Sequence, residues 1–137
     1  MRGFKKALTV AVASVIITVF GLVALGAPAQ AAAWKRFRFA AIYAGDCTMS
    51  PGATWTIYSD GTAFFDGTVS STSGDDAWLM WANLKDQNRT TIGQITNANG
   101  DPKFVRNLPG AQRWFANGYF PAAWYPHISY MSMSKHC

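Results

Sequence analysis

Glutamate is absent from this chain of 137 residues, histidine and cysteine occur twice each, and no segment repeats at a fixed period. Each shortage narrows the chemistry. Hydrolysis of a glycosidic bond ordinarily takes two carboxyl groups facing each other across a cleft, and only seven Asp are available to supply them. Most stand where turns are expected: Asp60 before Gly61, Asp66 before Gly67, Asp86 ahead of Gln87-Asn88, Asp101 before Pro102. An Asp in a turn bonds nearby backbone amides, which is its usual work there. Adjacent Asp75 and Asp76 would project to opposite faces of a strand and so cannot flank one bond. There is no Gly-x-Ser-x-Gly elbow around a serine, no Gly-rich nucleotide cradle and no spaced metal-ligand motif. No catalytic residue, cofactor or metal ligand is therefore assigned. A small hydrolase that brings His127 or His136 together with an Asp and a Ser is the least favoured reading.

Positive charge is scarcer than the whole-chain balance of +5 implies. The opening "MRGFKK" carries Arg2, Lys5 and Lys6; Ala7 to Gly26 is uncharged and mostly apolar; "APAQAAAW" then sets Ala29 and Ala31 at positions −3 and −1 of a cleavage site. This order is that of a secretory signal. Residues 1–31 are expected to be removed, leaving 32–137 as a single secreted domain, extracellular or associated with the cell wall. The apolar run is also long enough to span a bilayer, so an uncleaved anchor is the alternative; after cleavage no stable membrane insertion is expected. Of twelve Lys and Arg, three leave with the signal, and nine then face seven Asp. The one basic cluster, Lys35, Arg36 and Arg38, is too small a footprint for a nucleic-acid partner.

Cys47 and Cys137 are the only cysteines, and in an oxidising compartment their pairing as a disulfide is expected. Such a bridge would tie the last residue to the front of the domain. A metal site built from His136 and Cys137 has too few spaced ligands to compete.

From Trp34 onward, runs of five to ten β-branched and aromatic residues alternate with Gly, Asp, Asn, Ser and Pro, the spacing of an all-β domain. "WKRFRFAAIYA" alternates Phe37 and Phe39 against Arg36 and Arg38, as a half-buried strand should. Asp60-Gly61 joins "TWTIYS" to "TAFFDGTV" as a hairpin. In "DDAWLMWANLKDQN" the helix formers Ala, Leu, Met and Lys compete with a period of two in Trp78, Met80, Ala82 and Leu84, and the alternation is followed: a strand, then a second hairpin through "DQNR". "DPKFVRNLP" supplies a short strand and "PHISYMSMSKHC" a terminal one, whose phase slips between Tyr130 and Met131 in the manner of a bulge. The expected fold is a small antiparallel β-barrel or β-sandwich of about 7–8 short strands closed by one disulfide, with the barrel slightly preferred.

The runs "WTIYSDGTAFFDGTVSS", "DDAWLMWANLKDQN", "KFVRNLP" and "YFPAAWYPHISYMSMSKHC" resemble a family of small secreted actinomycete proteins known only as a domain of unknown function. The resemblance covers about residues 54–137 and implies no activity. Where an Asn-Gly turn would be expected in the second hairpin, this chain has Asn88-Arg89. Arg at positive φ is costly, so a turn of another type, or one a residue longer, is expected. Asn88-Arg89-Thr90 also matches a glycosylation acceptor pattern, for which a turn is the simpler account.

One stretch stands out, "RWFANGYFPAAWYPH" from Arg113 to His127, in which six of fifteen residues are aromatic. It reads as a loop shaped by Asn117-Gly118, Pro121 and Pro126. Its rings either cover the end of the core, each burying a large area, or leave Trp114, Tyr119, Trp124 and Tyr125 as a half-exposed platform flanked by Arg113 and His127. The leading expectation for function is non-catalytic binding of a carbohydrate, cell-envelope component or small apolar molecule through that loop. The alternative is a protein-interaction module or inhibitor that presents the loop to a secreted protein.

Overall fold

The computed structural model describes residues 31–108 and 110–137; apart from Ala31, the expected export signal lies outside them. The described residues form ten strands: β1 (Trp34–Arg38), β2 (Ile42–Ala44), β3 (Cys47–Met49), β4 (Thr54–Tyr58), β5 (Thr62–Ser71), β6 (Asp76–Lys85), β7 (Thr91–Gln94), β8 (Phe104–Leu108), β9 (Gln112–Tyr119) and β10 (Tyr130–His136). A 3₁₀ helix, Ala122–His127, separates the last two. The chain is all-β, in two antiparallel sheets, the first curled as a half-barrel.

Both sheets follow one plan, organised by the two ten-residue strands. Along one edge β5 pairs with β9 from Thr62↔Tyr119 to Val69↔Gln112; its other edge is shared between β4 and β3. β6 likewise pairs with β10 from Leu79↔His136 to Lys85↔Tyr130, and shares its other edge between β8 and β7. β1 extends the first sheet beyond β4, and β2 extends it beyond β3. A single bridge, Thr96↔Tyr119, joins the chain after β7 to β9.

Ten strands replace the seven or eight expected: Trp34–Ala44 is two strands and not one, Cys47–Met49 adds β3, and Gln112–Tyr119, expected within a loop, is β9. Phe39 exchanges backbone hydrogen bonds with Ala53 and Gly52 (2.9 Å each), so the chain leaves the β4 ladder there and resumes as β2. The hairpin through Asp60-Gly61 forms as expected, with Gly61 at φ 89°. The second hairpin is a residue longer than a two-residue turn, as expected, with Asp86 N donating to the Thr90 carbonyl (3.0 Å) around Gln87-Asn88-Arg89; Arg89 nevertheless adopts φ 63° and is the one non-glycine in the left-handed region among the described residues. Asp86 holds this turn by accepting the amides of Asn88 and Thr90 at Oδ1 (2.9 and 3.0 Å). The Arg89 guanidinium lies 4.2 Å from the centre of the Tyr130 ring, a contact that offsets part of the backbone cost. The bulge expected at Tyr130-Met131 is absent, since β10 keeps unbroken register with β6. The change of phase instead falls at Ile128, which is fully buried before the strand begins.

Alternation fills one core shared by the two sheets. Trp55, Ile57, Phe65 and Val69 from the first face Trp78, Met80, Leu84 and Leu108 from the second. Trp55 of β4 meets Phe104 of β8 edge to face, with centroids 5.3 Å apart. The strand assigned to Asp76–Lys85 buries Trp78, Met80, Ala82 and Leu84 in turn, as its period of two requires. Cys47 of β3 bonds to Cys137 just beyond β10, with Cα atoms 5.8 Å apart, and so joins the sheets covalently. Closing a loop across 90 residues of sequence is worth about 4–5 kcal/mol by chain entropy. Replacing both Cys47 and Cys137 by Ser is therefore expected to lower the unfolding free energy by about 4 kcal/mol in urea titration; a change below about 1 kcal/mol would show that the sheets hold each other without the bridge.

Candidate functional site

The aromatic stretch is not a loop. Its first half is β9, and Asn117-Gly118, expected to turn the chain, lies within that strand, paired with Phe64 and Ala63. Gly118 is needed for close approach: a Cβ there would stand 2.3 Å from Ile95 Cγ2. Strand alternation then divides the rings. Trp114 turns inward, 7% exposed, edge to face against Phe65, which corrects its placement in an exposed platform. Arg113 and Tyr119 occur on the outward face of the same strand.

Trp124, Tyr125 and His127 sit on the 3₁₀ helix. Trp124 packs onto Gly93 of β7 so closely that a Cβ would meet its ring at 2.3 Å. Lys35 reaches from β1 to this helix, donating from Nζ to the carbonyls of Tyr125 (2.9 Å) and Ile128 (2.8 Å), with the ammonium 4.5 Å from the centre of the Tyr125 ring. The ring of Tyr125 is thus engaged within the protein. The six residues expected to make one site therefore fall into three groups: an inward ring, an outward strand face and a pinned helix.

His127 lines a hollow of about 460 Å3 with Asp86, Asn88, Ile92, Pro126 and Ser129. An Asp, a His and a Ser meet there, as the hydrolase reading requires. They are not coupled, however: no hydrogen bond or ion pair joins them among the described residues, and Asp86 Oδ1 is already engaged by two amides. Cys47, Asp76 and Cys137 also bring ligand-type atoms within 4.8 Å of one another. Both sulfurs belong to the disulfide, and the Asp76 carboxylate accepts hydrogen bonds from the Ser71 and Ser73 hydroxyls, which hold its pKa below the usual range.

The outward face of β1, β4, β5 and β9 carries Arg113 and Tyr119 of the expected site beside residues that the sequence does not group with them. Backbone register arranges it in rows: Trp34, Tyr58, Thr62 and Tyr119 in the first; Arg36, Thr56, Phe64 and Asn117 in the second; Arg38, Thr54, Asp66 and Phe115 in the third. Rows two residues apart lie about 6.8 Å from each other, and strands about 4.8 Å. Four of the large apolar side chains most open to solvent are here: Trp34 (59%), Phe115 (54%), Tyr119 (43%) and Phe64 (36%). Phe64 and Phe115 stack, with centroids 5.8 Å apart and planes 20° from parallel. The Arg113 guanidinium lies 5.1 Å from the centre of Phe115 while donating to both oxygens of Asp66, at 3.0 and 2.9 Å. Arg36 lies over Trp34 at 5.2 Å and donates from Nε to Thr56 Oγ1 at 3.0 Å. The sequence held a signal for this face. Phe64-Phe65 and Trp114-Phe115 are aromatic doublets, and within a strand a doublet must turn one ring outward.

These features define a class: a disulfide-closed, two-sheet β-domain with an aromatic and arginine-bearing sheet face. The chain belongs to the family of unknown function DUF6294, whose family model matches residues 54–137, from the start of β4 to the last residue. No curated protein and no solved structure matches the chain.

Two expectations follow from this geometry. Lys35→Ala removes two charge-assisted hydrogen bonds from a half-buried site and should cost about 2 kcal/mol in urea unfolding, with faster amide exchange at Ile128; unchanged stability and exchange would mean that the helix is held by packing alone. The Arg113 hydrogen bond, the largest effect, holds the Asp66 carboxyl below the usual range; burial opposes it, and the Arg113 charge adds a smaller push in the same direction as the hydrogen bond. A depressed folded pKa contributes stability above the unfolded value of about 3.9, and that contribution is lost as pH falls through the lower folded value. In an NMR titration Asp66 should titrate below an ordinary Asp and move back up in Arg113→Ala; equal midpoints in the two proteins would contradict the pairing.

Proposed function

We propose that this domain is a non-catalytic binding module that acts outside the cell and holds a carbohydrate of the cell envelope on the outward face of β1, β4, β5 and β9. The observation that carries the reading is the grouping of Trp34, Phe64, Phe115 and Tyr119 on that one face. A contiguous exposed apolar surface with a polar rim is the mark of an interaction site, and aromatic rings offer sugars a rigid apolar surface at small entropic cost. The export signal expected at residues 1–31, and the resemblance of this chain's runs to a family of small secreted actinomycete proteins, support an extracellular or wall-associated setting. The pinned 3₁₀ helix supports a lid role for Trp124 and Tyr125 rather than a ligand platform.

A protein partner is the second reading, supported by a different feature. Among the described residues β1 pairs only with β4, so its outer edge is open to a strand from another chain.

The test is retention of the disulfide-bonded protein on insoluble chitin, cellulose, peptidoglycan and whole cell wall. We expect retention on at least one, reduced about tenfold or more by Phe64→Ala with Phe115→Ala, two exposed changes that leave the thermal transition within a few degrees. Passage through every matrix, or retention that survives loss of both rings, would contradict the proposal and direct the search to a protein pairing with β1.

A further inference from the structure

We infer that the glycan held on this face is acidic, with Arg36 and Arg38 receiving the carboxylate of a sugar acid whose ring lies against Phe64. This rests on the outward face being the binding surface and adds the chemical class of the ligand. Arg36, Arg38 and Phe64 line one hollow of about 340 Å3, together with Thr54, Tyr58 and Asp66. Asp66 is the only carboxylate lining it, and both of its oxygens are taken by Arg113 in the one ion pair among the described residues. The two β1 arginines therefore bring positive charge to the hollow with no carboxylate answering it.

Their arrangement suits an anion. Arg36 uses Nε on Thr56 and lies over Trp34, so two contacts fix its guanidinium while its terminal NH2 groups have no protein partner among the described residues. Arg38 stands two residues further along the same face of β1. A guanidinium fork matches a carboxylate in a way that an ammonium does not. Phe64 is two strands away, roughly 10 Å between strand axes, a gap that an arginine side chain and a sugar ring together span.

The rings and the arginines select the ligand jointly. A sugar ring laid on an aromatic surface carries its carboxyl group at the ring edge, directed sideways along the sheet, and here β1 occupies that side. A polymer of phosphates alone would leave Phe64 without a partner, and a neutral glycan would leave the two arginines unanswered. Both arginines precede the segment matched by the family model, so the acid preference is inferred for this chain and not for its family.

The experiment measures binding of the disulfide-bonded protein to polygalacturonate, alginate and hyaluronan by affinity electrophoresis, each beside its methyl ester, which keeps the backbone and removes the charge. We expect at least one polyuronate to bind, its ester to bind about tenfold or more weakly, and the affinity to fall as salt rises. Arg36→Gln with Arg38→Gln should weaken binding by a similar factor. Lys135→Gln removes one charge from β10 in the other sheet and should change binding less than about twofold. Equal binding of acid and ester, or full affinity in the double arginine variant, overturns the inference; if Phe64→Ala still abolishes that binding, the aromatic face survives as the site. Retention on chitin or cellulose with no binding to any polyuronate overturns the inference alone. Binding to nothing overturns both.

Discussion

Two sheets and about a hundred residues must share one core, and a strand offers that core only every second side chain. The rest of the molecule follows from this constraint. Trp55, Phe65, Trp78 and Trp114 are drawn into the middle, where large rings supply the burial that a small domain needs. Their sequence neighbours are then forced outward. Phe64 and Phe115 are exposed because Phe65 and Trp114 are not. The disulfide adds to the same end, since Cys47 is fully buried in one sheet and bonds to Cys137, the residue that follows β10 of the other.

The division of rings bears on what the protein can bind. The inward set is committed to stability, and the 3₁₀ helix is committed too, held by Lys35 at two carbonyls and by Gly93 beneath Trp124. What remains free is a broad sheet face of four strands that carries aromatic rings, with guanidinium groups on its β1 and β9 sides. On that face Arg113 is neutralised by Asp66, whereas Arg36 and Arg38 have no ion pair among the described residues. The proposed role as a glycan-binding module and the inferred preference for acid both rest on this asymmetry between spent and unspent groups.

Much of the fold was legible in the chain, and the failures have physical causes. The alternation of Trp78, Met80, Ala82 and Leu84 outweighed the helix propensity of its residues, and Asp60-Gly61 marked its hairpin. Asn117-Gly118 misled, because the need for Gly118 comes from Ile95, a neighbour in space that local sequence does not reveal. Arg89 in the left-handed region is similar: its contact with Tyr130 of β10 is tertiary. The slip near Tyr130 was real as a pattern, but it marks the exit from the 3₁₀ helix at Ile128 and not a bulge. The candidate site was the least legible part. Aromatic residues in strands read as core, and only the doublets Phe64-Phe65 and Trp114-Phe115 signalled that half of them must face water.

The most direct measurement is an NMR footprint of the isotope-labelled, disulfide-bonded protein titrated with a galacturonate tetramer. Shifts confined to the outward face, at Arg36 and Arg38 side-chain signals and at the rings of Phe64 and Phe115, are what this account predicts. Shifts centred on Trp124, His127 and Ser129, with the sheet face silent, would contradict it and return the site to the hollow beside the 3₁₀ helix.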